Sequence, residues 1–274
     1  MASTPYADSP QSPNFTPVEL ITDEYLSAYR AQLDVALDHA LAQLTEAVNG
    51  GSGDLMRLYE SAVSSSQVEG SKVTLHVFQA TMEATGNKPS TRDVQEVYDL
   101  VKAYDFARQN PLNGPNLLEA HRVLSQLLVH GNDQGAWRSK GVKVGNADVT
   151  VYMAPHQSMV PGLMEQLMQE VEALDDRTLR TDEAFYYAAL LHLVFVNIHP
   201  FIDGNGRSAR LLEKWFLAKH IGPIAWSIRS EKYTINHRDD YYEALARLGN
   251  QWGTLDYGQC IPFLLLLPRA LRNK

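Results

Sequence analysis

Residues 181–210 read TDEAFYYAALLHLVFVNIHPFIDGNGRSAR, and the fold is decided inside them. Between Thr181 and Ile198 the apolar side chains Ala188, Leu190, Leu191, Leu193, Val194, Phe195 and Val196 leave almost no polar face. That is the pattern of a helix buried on every side at the centre of a helical domain. Pro200 stops it, because the residue before a proline is disfavoured in the right-handed helical conformation. His199 therefore stands at the mouth of the following loop rather than inside a regular turn. Gly204 and Gly206 let the backbone turn tightly before a second helix, predicted over 206–220.

The loop concentrates chemistry. The N–H groups of Gly204, Asn205 and Gly206 can point into one concavity at the start of the second helix, where open donors and the helix dipole favour a phosphate. Asp203 lies beside this concavity, where a carboxylate can hold Mg²⁺ between phosphate oxygens. Arg207 and Arg210 share a face of the first turn and can grip terminal phosphates in fork geometry. Together they cover a nucleoside triphosphate, with His199 near its α-phosphate as acceptor of a proton from an attacking hydroxyl. Singly, each residue has an ordinary role: a helix-end histidine, a turn aspartate, two arginines solvating a helix face. Jointly those roles leave Phe201, Asn205 and Arg210 at these offsets unexplained. Gly204 to Ala209 also satisfies the loose dinucleotide pattern Gly-x-Gly-x-x-Ala, but that fingerprint needs a preceding strand, and here a helix precedes it. His192 has no partners at a zinc-binding spacing and reads as a core histidine.

Composition sets the frame around this loop. A chain of 274 residues with 45% hydrophobic and 20% charged content is globular, and its net charge of -8 argues against a nucleic-acid surface, so any anion must be captured locally. Cys260 is the only cysteine, which excludes an intramolecular disulfide and favours a reducing cytoplasm. The longest apolar run, around Phe263 to Leu267, falls far short of the roughly 20 residues that cross a bilayer. The chain reads as cytoplasmic, with no membrane and no nucleic acid among its partners.

Residues 1–20, rich in Ser, Pro and Thr, predict a disordered tail. From Thr22 to Ala47, Tyr25, Leu33, Leu37, Ala40 and Leu44 recur at helical spacing, and Asn49-Gly50-Gly51-Ser52-Gly53 ends the pattern in a flexible turn. Further helices are predicted over 54–67, 93–109, 117–129, 161–174 and 239–248, with loops at Asn87-Lys88-Pro89 and 110–115, and with Pro262 in the first turn of a last helix. Gly141 to Gly145 and Val149 to Met153 alternate Val with polar residues around Asn146-Ala147-Asp148, which predicts a small β-hairpin. The expected fold class is all-α with one hairpin, divided into an N-terminal helical region (21–110) and a core (111–274). Ser65 and Glu69 are four apart on one face of the 54–67 helix, and Gly70 can end that helix in a left-handed conformation.

His199 to Arg210 matches the signature His-Pro-Phe-x-Asp/Glu-Gly-Asn-Gly-Arg-x-x-Arg at all nine specified positions, so the chain resembles the Fic family of nucleotidylyltransferases. The resemblance spans roughly residues 54–267; residues 22–50 carry no family motif. It implies a Fic-type helical bundle and transfer of AMP from ATP to a Ser, Thr or Tyr hydroxyl of a target protein, with release of pyrophosphate. His199 would be the base, Asp203 the ligand of Mg²⁺ or Mn²⁺, Gly204, Asn205, Gly206 and Arg207 the anion hole, and Arg210 the partner of the γ-phosphate. Hairpin 141–153, preceded by Gly135-x-x-Arg138, resembles the flap, whose exposed edge can hold a target segment by main-chain hydrogen bonds. Ser65-Ser66-Gln67-Val68-Glu69-Gly70 resembles an inhibitory-helix motif, in which Glu69 would pair with Arg210 and deny it to the nucleotide. Tyr242 falls in the segment that closes over the nucleobase, although position 249, where relatives often carry Asn, is Gly here. Two other readings stay open: removal of AMP from a modified protein with Glu69 orienting water, and a catalytically silent nucleotide sensor. Whether the chain acts alone or as a homodimer is open as well.

Overall fold

The computed structural model describes residues 3–6, 19–49, 53–86, 88–89, 91–145 and 150–272. Its helices are α1 (Leu26–Gln32), α2 (Leu37–Asn49), α3 (Asp54–Val68), α4 (Leu75–Thr85), α5 (Arg92–Gln109), α6 (Gly114–Leu124), α7 (Val160–Asp175), α8 (Thr181–Ile198), α9 (Asn205–Ile221), α10 (Ser230–Asn236), α11 (Arg238–Ala246), α12 (Ile261–Leu264) and α13 (Leu266–Arg269). Three short strands accompany them: β1 (Ser3–Tyr6), β2 (Gly141–Gly145) and β3 (Thr150–Met153). The fold is all-α with a small sheet, as the hydrophobic pattern requires.

Two apolar cores meet across α9. Helix α8, buried along nearly its whole length, packs with α7 and the C-terminal helices around Phe185, Leu190, Phe195 and Phe216. A second core gathers Tyr59, Phe78, Leu100 and Tyr104 from α3, α4 and α5. Helix α9 serves both: Leu212, Phe216 and Leu217 face the first core, Leu211 and Trp215 the second. Its N-terminus is thereby held between α8 and α3.

Several elements depart from the sequence reading. The predicted helix over 22–47 is two helices, because Leu33 turns extended (ψ 114°) and Asp34 is tied to Arg269 and Arg272 of the far terminus. Helix α4 was hidden by weak periodicity, although Thr74 caps it by accepting from the Val77 N–H at 3.3 Å and Gly86 ends it at φ 63°. Helix α10 was likewise missed. The predicted tail is not wholly without structure: Ser3–Tyr6 pairs antiparallel with β2, giving a sheet of order β1-β2-β3, so the β2 edge of the hairpin is covered by the chain's own strand. Leu20 and Ile21 are also buried, their N–H groups donating to the Glu170 carboxylate at 2.9 and 2.6 Å. The rest of the tail, the hairpin turn at 146–149, the glycine-rich turn at 50–52 and Asn87 lie outside the described residues.

Candidate active site

The backbone of the loop is held from three directions. His199, with φ 52° and ψ 58°, is the one non-glycine residue of positive φ among the described residues, and it caps α8 by donating its N–H to the Phe195 carbonyl at 2.9 Å. A left-handed histidine is an uncommon conformation that the surroundings must enforce. Pro200 disfavours the helical alternative, and the buried guanidinium of Arg138 grips the result. Its Nε donates to the His199 carbonyl at 2.8 Å, its Nη2 to the Pro155 carbonyl at 2.5 Å and its Nη1 to the Lys140 carbonyl at 3.0 Å. One side chain thus ties the backbone of His199 to both ends of the hairpin. From within the loop, the Asn205 amide accepts from the Phe201 N–H at 2.8 Å and donates to the Phe201 carbonyl at 2.9 Å. Phe201 is fully buried and stacks on His121 with ring centroids 3.5 Å apart. Asn205 therefore spends its side chain on closing the loop, and only its main chain is left to face a ligand.

His199 is 6% exposed, and its Nδ1 donates to the Val196 carbonyl at 3.2 Å. That bond selects the tautomer whose Nε2 carries the lone pair. Burial, assisted by the positive charge of Arg138, pushes the imidazole down to about 4, so the ring is neutral near pH 7 and can accept a proton. Asp203 is half-buried, and burial raises its carboxyl above the usual range; its Oδ1 accepts the Gly204 N–H at 2.6 Å. Gly204 has φ +81°, which only glycine adopts freely, and it opens α9.

Helix α3 delivers Glu69 to the same place. Its end is a Schellman motif: the Ser71 N–H reaches the Ser66 carbonyl at 3.1 Å, the Gly70 N–H reaches the Gln67 carbonyl at 3.0 Å, and Gly70 takes φ +101°. This stop leaves the Glu69 carboxylate over the first turn of α9, where it would collide with any side chain at Gly206. There Glu69 meets Arg210: Nη2 lies 2.8 Å from Oε1, with Arg210 1% exposed and Glu69 17%. Ser65 completes the grip, accepting from Arg210 Nε at its hydroxyl (2.9 Å) and from Nη2 at its carbonyl (3.0 Å). Burial alone would raise the Glu69 carboxyl; the neighbouring positive charges, Arg210 foremost and Arg207 after it, with the Arg210 hydrogen bond, more than offset it and hold the group at about 2. Arg210 Nη1, buried beside Gly206, has no hydrogen-bond partner among the described residues.

The loop and Glu69 line an open cavity whose free volume, mouth included, is about 840 Å³. Glu69, His199, Asp203, Gly204, Asn205 and Gly206 form its floor; Tyr241, Tyr242, Leu245, Ala246 and Gly249 one wall; Val144, Val151 and Tyr152 of the hairpin the other. Apolar walls over a polar floor suit a small organic anion. Tyr242 stands where a base could lie against it, its hydroxyl 3.4 Å from the Val68 carbonyl at the end of α3. Neither of the two expected arginines lines the cavity. Arg210 is held against Ser65 and Glu69, and Arg207 turns toward Glu96 of α5 at 4.0 Å, because the 3.6-residue turn sends it to the α5 side of α9 while Arg210 points to α3. Two carboxylates line the cavity, and with Glu69 paired to Arg210, Asp203 is the one that could hold a cation; Mg²⁺ commonly takes one or two carboxylates plus phosphate oxygens and water.

Sequence reasoning missed the residues that brace this floor. His121 and Lys214 are polar residues on otherwise buried helix faces, a pattern that marks them as partnered without naming the partner. Tyr152 of β3 donates to the Asn197 carbonyl at 2.7 Å, linking hairpin to α8, and nothing in an alternating strand announces that.

Comparison with known proteins agrees with this arrangement. Residues 111–217 match the Fic/DOC family model. Over those residues this chain is similar to the Fic/DOC family. It is 29% identical over 224 residues to a protein named protein adenylyltransferase Fic from Nematostella vectensis, covering 77% of this chain and 46% of that one. A protein of the same name from Drosophila grimshawi is 43% identical over 138 residues, or 42% of this chain and 27% of the relative. The chain thus spans less than half the length of these relatives. In fold it is similar to a Fic family protein from Desulfovibrio desulfuricans, with a TM-score of 0.72 at 24% identity over 96% of this chain and 75% of that one. It is also similar to a Fic domain containing signaling protein from Bacteroides thetaiotaomicron, with a TM-score of 0.61 at 21% identity over 91% and 93%. No helix among the described residues is long and apolar enough to cross a membrane.

Proposed function

We propose that this chain is a self-inhibited protein adenylyltransferase that moves AMP from ATP to a hydroxyl of a target protein. The observation that carries the reading is the Glu69 carboxylate seated on Arg210 at the Gly206 turn: a built-in anion where a phosphate chain would need both the helix N-terminus and the guanidinium. The orphaned Arg210 Nη1 supports the same assignment, since a buried donor of this kind calls for an anionic partner.

In this reading the triphosphate lies along the α9 N-terminus with its base against Tyr242. His199 Nε2 takes the proton of the target hydroxyl as its oxygen attacks the α-phosphorus; the new O–P bond forms, the α–β bridge breaks and pyrophosphate leaves. A Mg²⁺ ion held by Asp203 would neutralise charge on the phosphate oxygens. Gly204 and Gly206 offer N–H donors to those oxygens, and Arg210 takes the γ-phosphate once Glu69 withdraws. The target presents an extended segment to the hairpin, whose strands form the cavity wall above His199. With its single cysteine buried, the chain suits a reducing compartment, and we place it in the cytoplasm.

Ionised Glu69 lines the same cavity as His199, an arrangement that also suits orienting a water for removal of AMP. Incubation with α-labelled ATP and Mg²⁺, comparing wild type with Glu69→Gly for label on the chain and on lysate proteins, separates the readings. Transfer that rises in the variant supports adenylylation. Release of AMP from a pre-labelled substrate that is lost in the variant supports the hydrolytic reading. ATP binding with neither product leaves a nucleotide sensor.

A further inference from the structure

His121 belongs to α6, stands 82 residues from the loop it touches and is fully buried, yet both ring nitrogens are engaged. Nδ1 accepts the Gly135 N–H at 3.0 Å. In a neutral ring the hydrogen must then sit on Nε2, which donates it to the Asp203 carbonyl at 3.0 Å. The ring lies flat on Phe201, at 3.5 Å and 1° between planes, so it cannot turn away. A side chain at Gly204 would press on His121 Nε2 at 3.3 Å, which shows how closely the ring backs the loop.

The consequence lies in one peptide unit. The Asp203 carbonyl and the Gly204 N–H belong to the same trans peptide plane and must point in opposite directions. The carbonyl is drawn inward by His121. The N–H is therefore turned away from His121, to the side of the Asp203 carboxylate, which accepts it at 2.6 Å and lines the cavity. We infer that His121 is a positioning residue for phosphate binding: its Nε2–H fixes the Asp203–Gly204 peptide so that the Gly204 N–H faces the nucleotide. The inference rests on the adenylyltransferase reading for the identity of the anion, but the orientation of the peptide does not depend on it.

Two variants isolate the donor. His121→Gln keeps an N–H within reach of the Asp203 carbonyl, whereas His121→Asn keeps an acceptor for Gly135 and cannot reach Asp203; both lose the stack on Phe201. In a Glu69→Gly parent, His121→Asn should weaken binding of ATP with Mg²⁺ by about ten- to a hundredfold, the worth of one hydrogen bond to a charged group. Adenosine, which has no phosphate, should bind with unchanged affinity. His121→Gln should restore most of the ATP affinity. Equal ATP losses in both variants, an unchanged ATP affinity in His121→Asn, or parallel loss of adenosine and ATP would each overturn the assignment in favour of a packing role. The Gly204 amide resonance, read without nucleotide, should move in His121→Asn and stay in His121→Gln, so a parent that failed to bind ATP would count against the proposed function and not against this inference. Should neither variant fold, the ¹⁵N shifts of the wild-type ring decide: a hydrogen on Nδ1 in place of Nε2 refutes it.

Discussion

Replacing Glu69 with glycine should make the protein less stable and more active at once. In the folded chain Arg210 is 1% exposed and pairs with Glu69 at 2.8 Å; without that carboxylate it keeps only the neutral Ser65 hydroxyl and carbonyl, at 2.9 and 3.0 Å. Breaking a fully buried ion pair costs ~3–5 kcal/mol. Here the Glu69 side chain is 17% exposed and borders the cavity, so water replaces part of what is lost and we expect about 2–3 kcal/mol of destabilisation. In the proposed function ATP displaces the same interaction to reach Arg210. At about 1.4 kcal/mol per factor of ten, its removal should strengthen ATP binding and raise AMP incorporation by about 30- to 150-fold. The assay is incorporation from α-labelled ATP at sub-saturating concentration, run beside a urea melt. The double variant Glu69→Gly, Arg210→Ala should fall back towards the wild-type rate, since two residues that share one interaction are not additive. If Glu69→Gly loses stability without gaining ATP affinity, the pair is structural and the inhibitory reading of α3 fails.

His199→Ala should cut AMP transfer by ~10²–10⁴-fold while ATP affinity stays within a few-fold, measured in the Glu69→Gly background; a rate near that of the parent removes His199 from the chemistry. Because burial holds His199 at about 4 in the folded chain and the unfolded chain titrates near 6.5, the unfolded state binds the extra proton between those values. Stability is then complete above about pH 6.5 and declines as pH falls towards 4, with ~2 kcal/mol lost at pH 5 from this group; urea melts of wild type and His199→Ala with the same pH dependence would contradict it. Lys214→Met should destabilise by ~3–5 kcal/mol, because it strands Glu231, 0% exposed and 2.8 Å from Lys214 Nζ, and adding Glu231→Gln should recover part of the loss in chemical denaturation. Removing residues 1–18 takes β1 off the edge of β2 and should raise labelling of lysate proteins by the Glu69→Gly chain; labelling that stays constant would mean targets do not use that edge.

The parts legible in the sequence were those written locally. The run from Ala188 to Ile198 admits only a buried helix, and the proline and glycines after it force a loop at His199 and Gly204 whatever surrounds them. Glu69 and Gly70 could be placed at a helix end for the same reason: a Schellman stop is a matter of a few consecutive residues. What pairs across the chain was not legible. Arg207 and Arg210 look equivalent in a list of spacings, and only the packing of α9 between α5 and α3 sends one to Glu96 and the other to Glu69. His121, Arg138 and Tyr152 carry no local signal for their partners, because each reaches a main-chain carbonyl, and every residue has one.

The same partners decide how Glu69 can leave Arg210. Helix α3 is fastened to α9 at two levels one turn apart, by Ser65 on Arg210 at 2.9 Å and by Ser61 on Lys214 at 2.7 Å. Lifting the helix as a body would strip both hydroxyls from buried cations, at ~1.5–3 kcal/mol for each hydrogen bond to a charge, and would also uncover the apolar face of Tyr59, Ala62 and Val63. Swinging the Glu69 side chain breaks one ion pair and moves no helix, and Gly70 at φ +101°, with nothing within 4 Å of where a Cβ would stand, leaves room beside it. The side-chain motion is therefore the cheaper by several kcal/mol, on the order of the two serine bonds alone. It leaves α3 in place, with Ser65 still orienting Arg210 for the phosphate that, in the proposed function, replaces the carboxylate.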